Sequence, residues 1–194
     1  MSIAASLLTL ILAVPAAPVY EAPRPVAVAV AASEWKPEPG DTAFIDTRSN
    51  DGYLVHDDGR YLRFPVVTGQ RRGVYYIGRS YNATTPATDW VIQSSEVKGD
   101  RVTFGPSGRF LRLWKDDERT AYGFHEHRDE EEMFGAPAEE RYRSMGCIIL
   151  ESSTMDIFAL TLELNGSIAV HTRYGIDDIS TELMAQEKTA EEKL

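Results

Sequence analysis

From Thr42 onward, apolar and polar residues alternate in short runs broken by turn residues. "TAFIDTR" is followed by Asn-Asp-Gly, then "YLVHD", then Asp-Gly, then "RYLRFPVVTG". Strand side chains point to opposite faces in turn, so alternation with period two marks half-buried strands. Glycine after Asn or Asp supplies the positive φ that tight hairpins need. The runs "GVYYIGRS", "DWVIQSS", "DRVTFG", "RFLRLW" and "TAYGFHEH" continue the pattern, with turn-rich "GPSG" and "KDDER" among them. Turns at intervals of roughly 8 to 12 residues predict a mainly β domain, a sandwich or a barrel.

Two segments break the rhythm. "RDEEEMFGAPAEERYRS" is charged and holds Gly135 and Pro137, which predicts a loop with a short helical piece. "ESSTMDIFALTLELNG" sets Met155, Phe158, Ala159 and Leu162 on one face at helical spacing, so it predicts a helix packed on the core. Ser152 or Ser153 is expected to cap its start, and Asn165-Gly166 to end it. "SIAVHTR" returns as a strand.

The ends differ in composition from the middle. Residues 1–17 read "MSIAASLLTLILAVPAA", uncharged from 3 to 14 and ending in small residues. This predicts a signal peptide, shorter than the roughly 20 residues of a membrane span. Residues 18–41 carry prolines at 18, 23, 25, 37 and 39 around an Ala/Val stretch, which predicts a stiffened linker. Residues 177–194 are acidic and polar, and predict a solvated tail. One domain, 42–176, remains.

Charge narrows the partners. The 194-residue chain has 30 acidic and 20 basic side chains, a net −10. Phosphate contacts need clustered Lys and Arg, so nucleic acid is a poor fit, and no Gly-rich phosphate loop is present. Export would expose the single cysteine, Cys147, to oxidising conditions, and one cysteine cannot form an internal disulfide. A lone thiol there is buried or used.

The segment "RSMGCIIL" that holds Cys147 follows "YGFHEH" in the chain. A free thiol has a pKa near about 8.5 and needs a base to react at neutral pH. An imidazole is the usual base. Strand geometry puts His125 and His127 on one face and Glu126 on the other. Cys147 lies 22 positions after His125 and 20 after His127, so either histidine is a candidate. The residues alone leave other readings open: a buried core thiol, or a metal pair from "HEH" completed by Cys147 or His171. His56 and His171 otherwise read as ordinary strand residues.

"YGFHEH", a spacer and "SMGCII" together resemble the signature of the L,D-transpeptidases of the YkuD type. "YLVHDDGRYLRFPVVTG" is similar to the family's strand-turn-strand run ending in an "fPVxTG" segment. "TPATDWVI" is similar to its "TPxGxFxI", and "NGSIAVHT" to its closing strand. The resemblance covers residues 42 to 173 in order. It implies an L,D-transpeptidase-like β-sandwich with one or two short helices packed on it.

The resemblance also implies roles. Cys147 would attack the carbonyl of a diaminoacyl-D-alanine bond in a peptidoglycan stem. His125, or alternatively His127, would act as base and then protonate the leaving D-alanine. Backbone N–H groups at Gly146, Cys147 and Met145 would form an oxyanion hole, with Ser144 supporting the turn. A second stem as acceptor gives a 3→3 crosslink, and water gives a carboxypeptidase. No metal or organic cofactor is implied. The expected partners are peptidoglycan stem peptides in the periplasm or cell envelope, met by a monomer, with transient membrane contact through the N-terminal segment. The chain departs from the family pattern at Met145, where many members have His, and at Ile149, where many have Arg. Thr88 stands where "TPxG" has glycine. These departures leave open an inactive relative that only binds peptidoglycan.

Overall fold

The computed structural model describes residues 27–76, 78–183 and 185. The expected signal peptide and the first part of the expected linker lie outside these. The elements run β1 (Val28–Ala29), β2 (Thr42–Asp46), β3 (Asp51–Val55), β4 (Arg60–Pro65), β5 (Thr68–Gly69), β6 (Gly73–Tyr76) and β7 (Arg79–Asn82). They continue with β8 (Asp89–Val97), β9 (Arg109–Lys115), β10 (Glu118–His125), α1 (Glu130–Gly135), a 3₁₀ turn (Ala138–Glu140) and β11 (Tyr142–Ser144). The last are β12 (Ile148–Ile149), α2 (Ser152–Asn165) and β13 (Ile168–Arg173). The chain is mainly β, as the alternation predicts, with 41% strand and 18% helix.

Nine strands form one mixed sheet in the order β1-β4-β3-β2-β13-β8-β9-β10-β12. The β1–β4, β2–β13 and β10–β12 pairs are parallel and the rest antiparallel. Alternation sends Ala43 and Ile45 of β2, Leu54 of β3, Leu62 and Phe64 of β4, and Leu111 and Leu113 of β9 to one core. α2 lies inside the curve of this sheet. Its Phe158 touches Phe64 on β4, with ring centroids 5.5 Å apart, and Phe124 on β10, at 5.1 Å. Those strands stand near opposite ends of the order, so the sheet wraps around the helix. A bridge between Val67 and Ile149 stitches the two ends.

Phe158 is fully buried at this junction. Truncating it would leave a void between β4 and β10. Phe158→Ala is expected to lower unfolding free energy by about 3–5 kcal/mol. Urea denaturation followed by circular dichroism checks this through a lower midpoint at unchanged slope.

Several local expectations are corrected. "DRVTFG" is a series of turns, with no strand, because the Asp100 carboxylate accepts the N–H groups of Val102 and Thr103. This local bonding competes with a sheet ladder. α2 is not capped by Ser152 or Ser153. The Glu130 carboxylate of α1 accepts both the Ser152 N–H (3.0 Å) and its hydroxyl (2.6 Å), supplying the anion that a helix start favours. Gly166, at φ +72°, closes the helix as expected.

The described part of the expected linker is docked. β1 pairs with β4, and Trp35 is buried against His56, with stacked rings 3.8 Å apart. The Asp41 carboxylate holds His56 Nδ1 at 2.5 Å. The start of the expected tail also packs, since Ile179 is buried beside Ile176, Phe44 and Val55 on the sheet's outer face.

Candidate active site

Cys147 and His125 come together through β10 and β12. The register pairs Phe124 with Ile148 and His125 with Ile149, which sets Gly123 beside Cys147. Phe124 and Ile148 face the core. Their neighbours of opposite parity face the other way, into a cleft of about 460 Å³ lined by Ala121, His125, Cys147 and Ile149. His127 lines the same cleft, although β10 ends at His125. Glu126 points away, buried, and accepts hydrogen bonds from Ser107 and Arg109. The turns of residues 101–107 add Thr103 and Phe104 to the cleft, and α1 adds Met133.

The imidazole of His125 is fixed. Its Nδ1 lies 2.6 Å from the Glu126 carbonyl oxygen, which accepts only, so Nδ1 carries the proton. Nε2 is then the basic nitrogen. Phe104 and Phe110 flank the ring at 5.1 and 5.9 Å. Burial among them pushes the imidazole down to about 4, against the opposing pull of the Glu126 and Thr103 backbone. His127 is less buried, and its Nδ1 accepts the Asp129 N–H at 3.1 Å. That nitrogen is therefore occupied.

The thiol is half-buried at the cleft floor. Its hydrogen bond runs to the Ala121 carbonyl, at 3.9 Å, and among the described residues none joins it to either imidazole. Burial pushes it up to about 11, while the Gly123 backbone and the Arg112 charge act in the opposite sense. At rest the site therefore holds a neutral thiol and a neutral imidazole.

The turn before Cys147 is braced from both sides. The Ser144 hydroxyl donates to the Cys147 carbonyl at 2.5 Å and accepts the Gly146 N–H at 3.1 Å. Thr85 donates to the Gly146 carbonyl at 3.0 Å and accepts the Gly69 N–H at 2.9 Å. The Gly146 N–H is thus engaged. Among the described residues the N–H groups of Met145 and Cys147 have no protein partner, which leaves them available to an oxyanion. Gly146 sits at φ +113°, and a Cβ there would lie 2.8 Å from Tyr122. Gly146→Ala removes no donor but would shift the turn that carries the Met145 and Cys147 N–H groups, and it is expected to slow acylation of Cys147 by roughly 10²–10³-fold, the scale on which oxyanion donors act. Stopped-flow acylation by a β-lactam checks this.

Neither the alternation nor the resemblance points to Arg112, Glu96 or Lys98. Arg112 is buried on β9 and lines the cleft. The signal for it lies in the register, which only the fold supplies. His171 pairs with Asp89, and His56 with Asp41. Among the described residues no cluster of three or more His, Cys, Asp or Glu could hold a metal ion.

A family model of the L,D-transpeptidase catalytic domain (YkuD) matches residues 40–171. No curated protein matches. Among solved structures, Bd1075 from Bdellovibrio bacteriovorus aligns with a TM-score of 0.53 at 9% identity, over 79% of this chain and 56% of that one. An L,D-transpeptidase from Xylanimonas cellulosilytica aligns with a TM-score of 0.49 at 19% identity, over 70% of this chain and 61% of that one. The chain thus spans about three fifths of the length of these structures. From the matched segment, which takes in both the braced turn and the β10–β12 pair, the chain belongs to the L,D-transpeptidase catalytic domain (YkuD) family.

Proposed function

We propose that the protein is a cysteine-dependent acyltransferase acting on peptidoglycan stem peptides in the cell envelope. Cys147 Sγ attacks the carbonyl of the bond to the terminal D-alanine. Its proton passes to His125 Nε2, and the new oxyanion takes the N–H groups of Cys147 and Met145. His125 then returns the proton to the amine of the departing D-alanine, leaving a thioester. The amine of a second stem resolves it as a transpeptidase, or water resolves it as a carboxypeptidase. The observation that carries this reading is that Cys147 and His125 open into one cleft, with Nδ1–H of His125 tied to Glu126 and Nε2 left basic.

Mass spectrometry of muropeptides after incubation with the protein tests it. Loss of terminal D-alanine with new dimers marks transpeptidation, and loss without dimers marks hydrolysis. A second reading, a peptidoglycan-binding relative without turnover, is favoured by the raised thiol and by the missing Sγ–imidazole bond. Binding of muropeptides with no change in mass would select it.

A further inference from the structure

The cleft is cationic in a chain of net −10. Lys98, Arg112 and Arg143 line it, against Asp100 as the one carboxylate in its described lining. Arg143 pairs with the exposed Glu132, at 3.1 Å. Arg112 is different because it is buried and built in. Its Nε and Nη2 donate to the two oxygens of Glu96 at 2.9 and 2.8 Å, and Nη1 donates to the Thr120 carbonyl at 2.8 Å. Three of its five N–H groups are thereby used, and two remain. Glu96 is shared with Lys98 at 2.5 Å and Arg119 at 2.9 Å. One carboxylate thus faces three cations, and the cluster keeps excess positive charge.

The register aims this charge at the thiol. Arg112 is the cross-strand partner of Gly123, and Gly123 lies beside Cys147 on the other side. The three form a row across β9, β10 and β12, and cross-strand partners share a face of the sheet. With hydrogen at the middle position, the Phe110 ring rests over Gly123, where a Cβ would strike it at 2.4 Å, and the guanidinium stacks 4.4 Å from that ring's centroid. Arg112, Phe110 and Cys147 line the same cleft.

We propose that Arg112, held by Glu96 across Gly123 from Cys147, recognises the α-carboxylate of the residue that leaves from the scissile amide. That carboxylate belongs to the amino acid whose nitrogen is expelled, so it lies one residue from the attacked carbonyl. A guanidinium with its geometry fixed by a carboxylate on one side presents its remaining N–H groups to an anion on the other. Arg112 is a specificity residue in this role and takes no proton. The inference deepens the acyl-transfer reading and rests on it for the identity of the peptide.

Calorimetry on the Cys147→Ala chain tests it without turnover. The probes are the tetrapeptide L-Ala-γ-D-Glu-diaminopimelyl-D-Ala and its C-terminal carboxamide. The acid is expected to bind about tenfold tighter than the amide. In Cys147→Ala/Arg112→Gln this preference is expected to fall to about twofold or less, with amide affinity unchanged. Glu96 keeps Lys98 and Arg119 there, and circular dichroism verifies the fold. Should that chain fail to fold, Arg112→Gln with Glu96→Gln keeps a neutral pair in place and should show the same loss. Equal binding of acid and amide before the Arg112 change, a preference that survives it, or no binding of either peptide overturns the proposal. A preference that tracks Arg112 in a protein that releases no D-alanine leaves this anion site standing and removes the acyl-transfer reading instead.

Discussion

Replacing Cys147 by alanine is expected to abolish D-alanine release from a tetrapeptide stem, a loss of roughly 10⁴-fold or more. It is also expected to remove the covalent adduct that a carbapenem forms, read by intact mass. No other thiol exists in the chain to substitute. The sulfur packs against the cleft floor but lies at its surface, so its removal leaves no sealed cavity. The melting temperature should therefore change little, with an effect of about 1 kcal/mol or less on stability. A structural core thiol predicts the reverse pattern, with lost stability and no chemistry to lose. The pair of measurements separates the two.

The second large effect is in pH. Alkylation of Cys147 by iodoacetamide consumes thiolate. With the thiol pushed up to about 11, thiolate is scarce at neutral pH. The alkylation rate is expected to climb about tenfold per pH unit, roughly 10³-fold from pH 7 to 10. An ordinary cysteine would level off near pH 9. Acylation by substrate should behave differently, because His125 takes the proton within the step. It needs neutral imidazole, present above about 4, and an intact thiol, present below about 11. Its rate is expected to be level from about pH 5 to 9 and to fall below that. His125→Gln should depress acylation while leaving the steep alkylation slope in place. A level alkylation profile at neutral pH would refute the neutral resting pair.

Burial of His125 also couples to stability. Its folded pKa of about 4 lies below the ordinary 6.5, so the unfolded chain binds the extra proton in between. Stability is then full above pH 6.5 and falls as pH drops toward 4, by on the order of 3 kcal/mol. Thermal melts across that range, compared with His125→Gln, isolate this contribution.

Strands such as "TAFID" and "RFLRLW" are legible in the sequence as short apolar runs between turn residues, and both faces of each are buried. The sulfur and the two histidines are also legible as types, since so few residues can supply that chemistry. Three things are not. "DRVTFG" alternates like a strand, yet the carboxylate at 100 bonds to its own backbone and holds it in turns. The start of α2 is capped by Glu130, 22 residues away, which no local capping pattern contains. Arg112 is one arginine among many until the β9–β10–β12 register lines it up with Cys147. The different surroundings of His125 and His127 likewise come from the carbonyl at Glu126 and the N–H at Asp129. Such information is carried by pairings between distant segments, and periodicity within a segment is blind to it.

The two-residue strand β12 is clasped on both edges, by β10 along one and by Val67 along the other. The main-chain atoms leading away from the sulfur are therefore anchored by hydrogen bonds to neighbouring backbone, whatever side chains surround them. Residues of the cleft wall such as Met133 and Met145 can be exchanged to reshape the cleft, and the sulfur stays where it was.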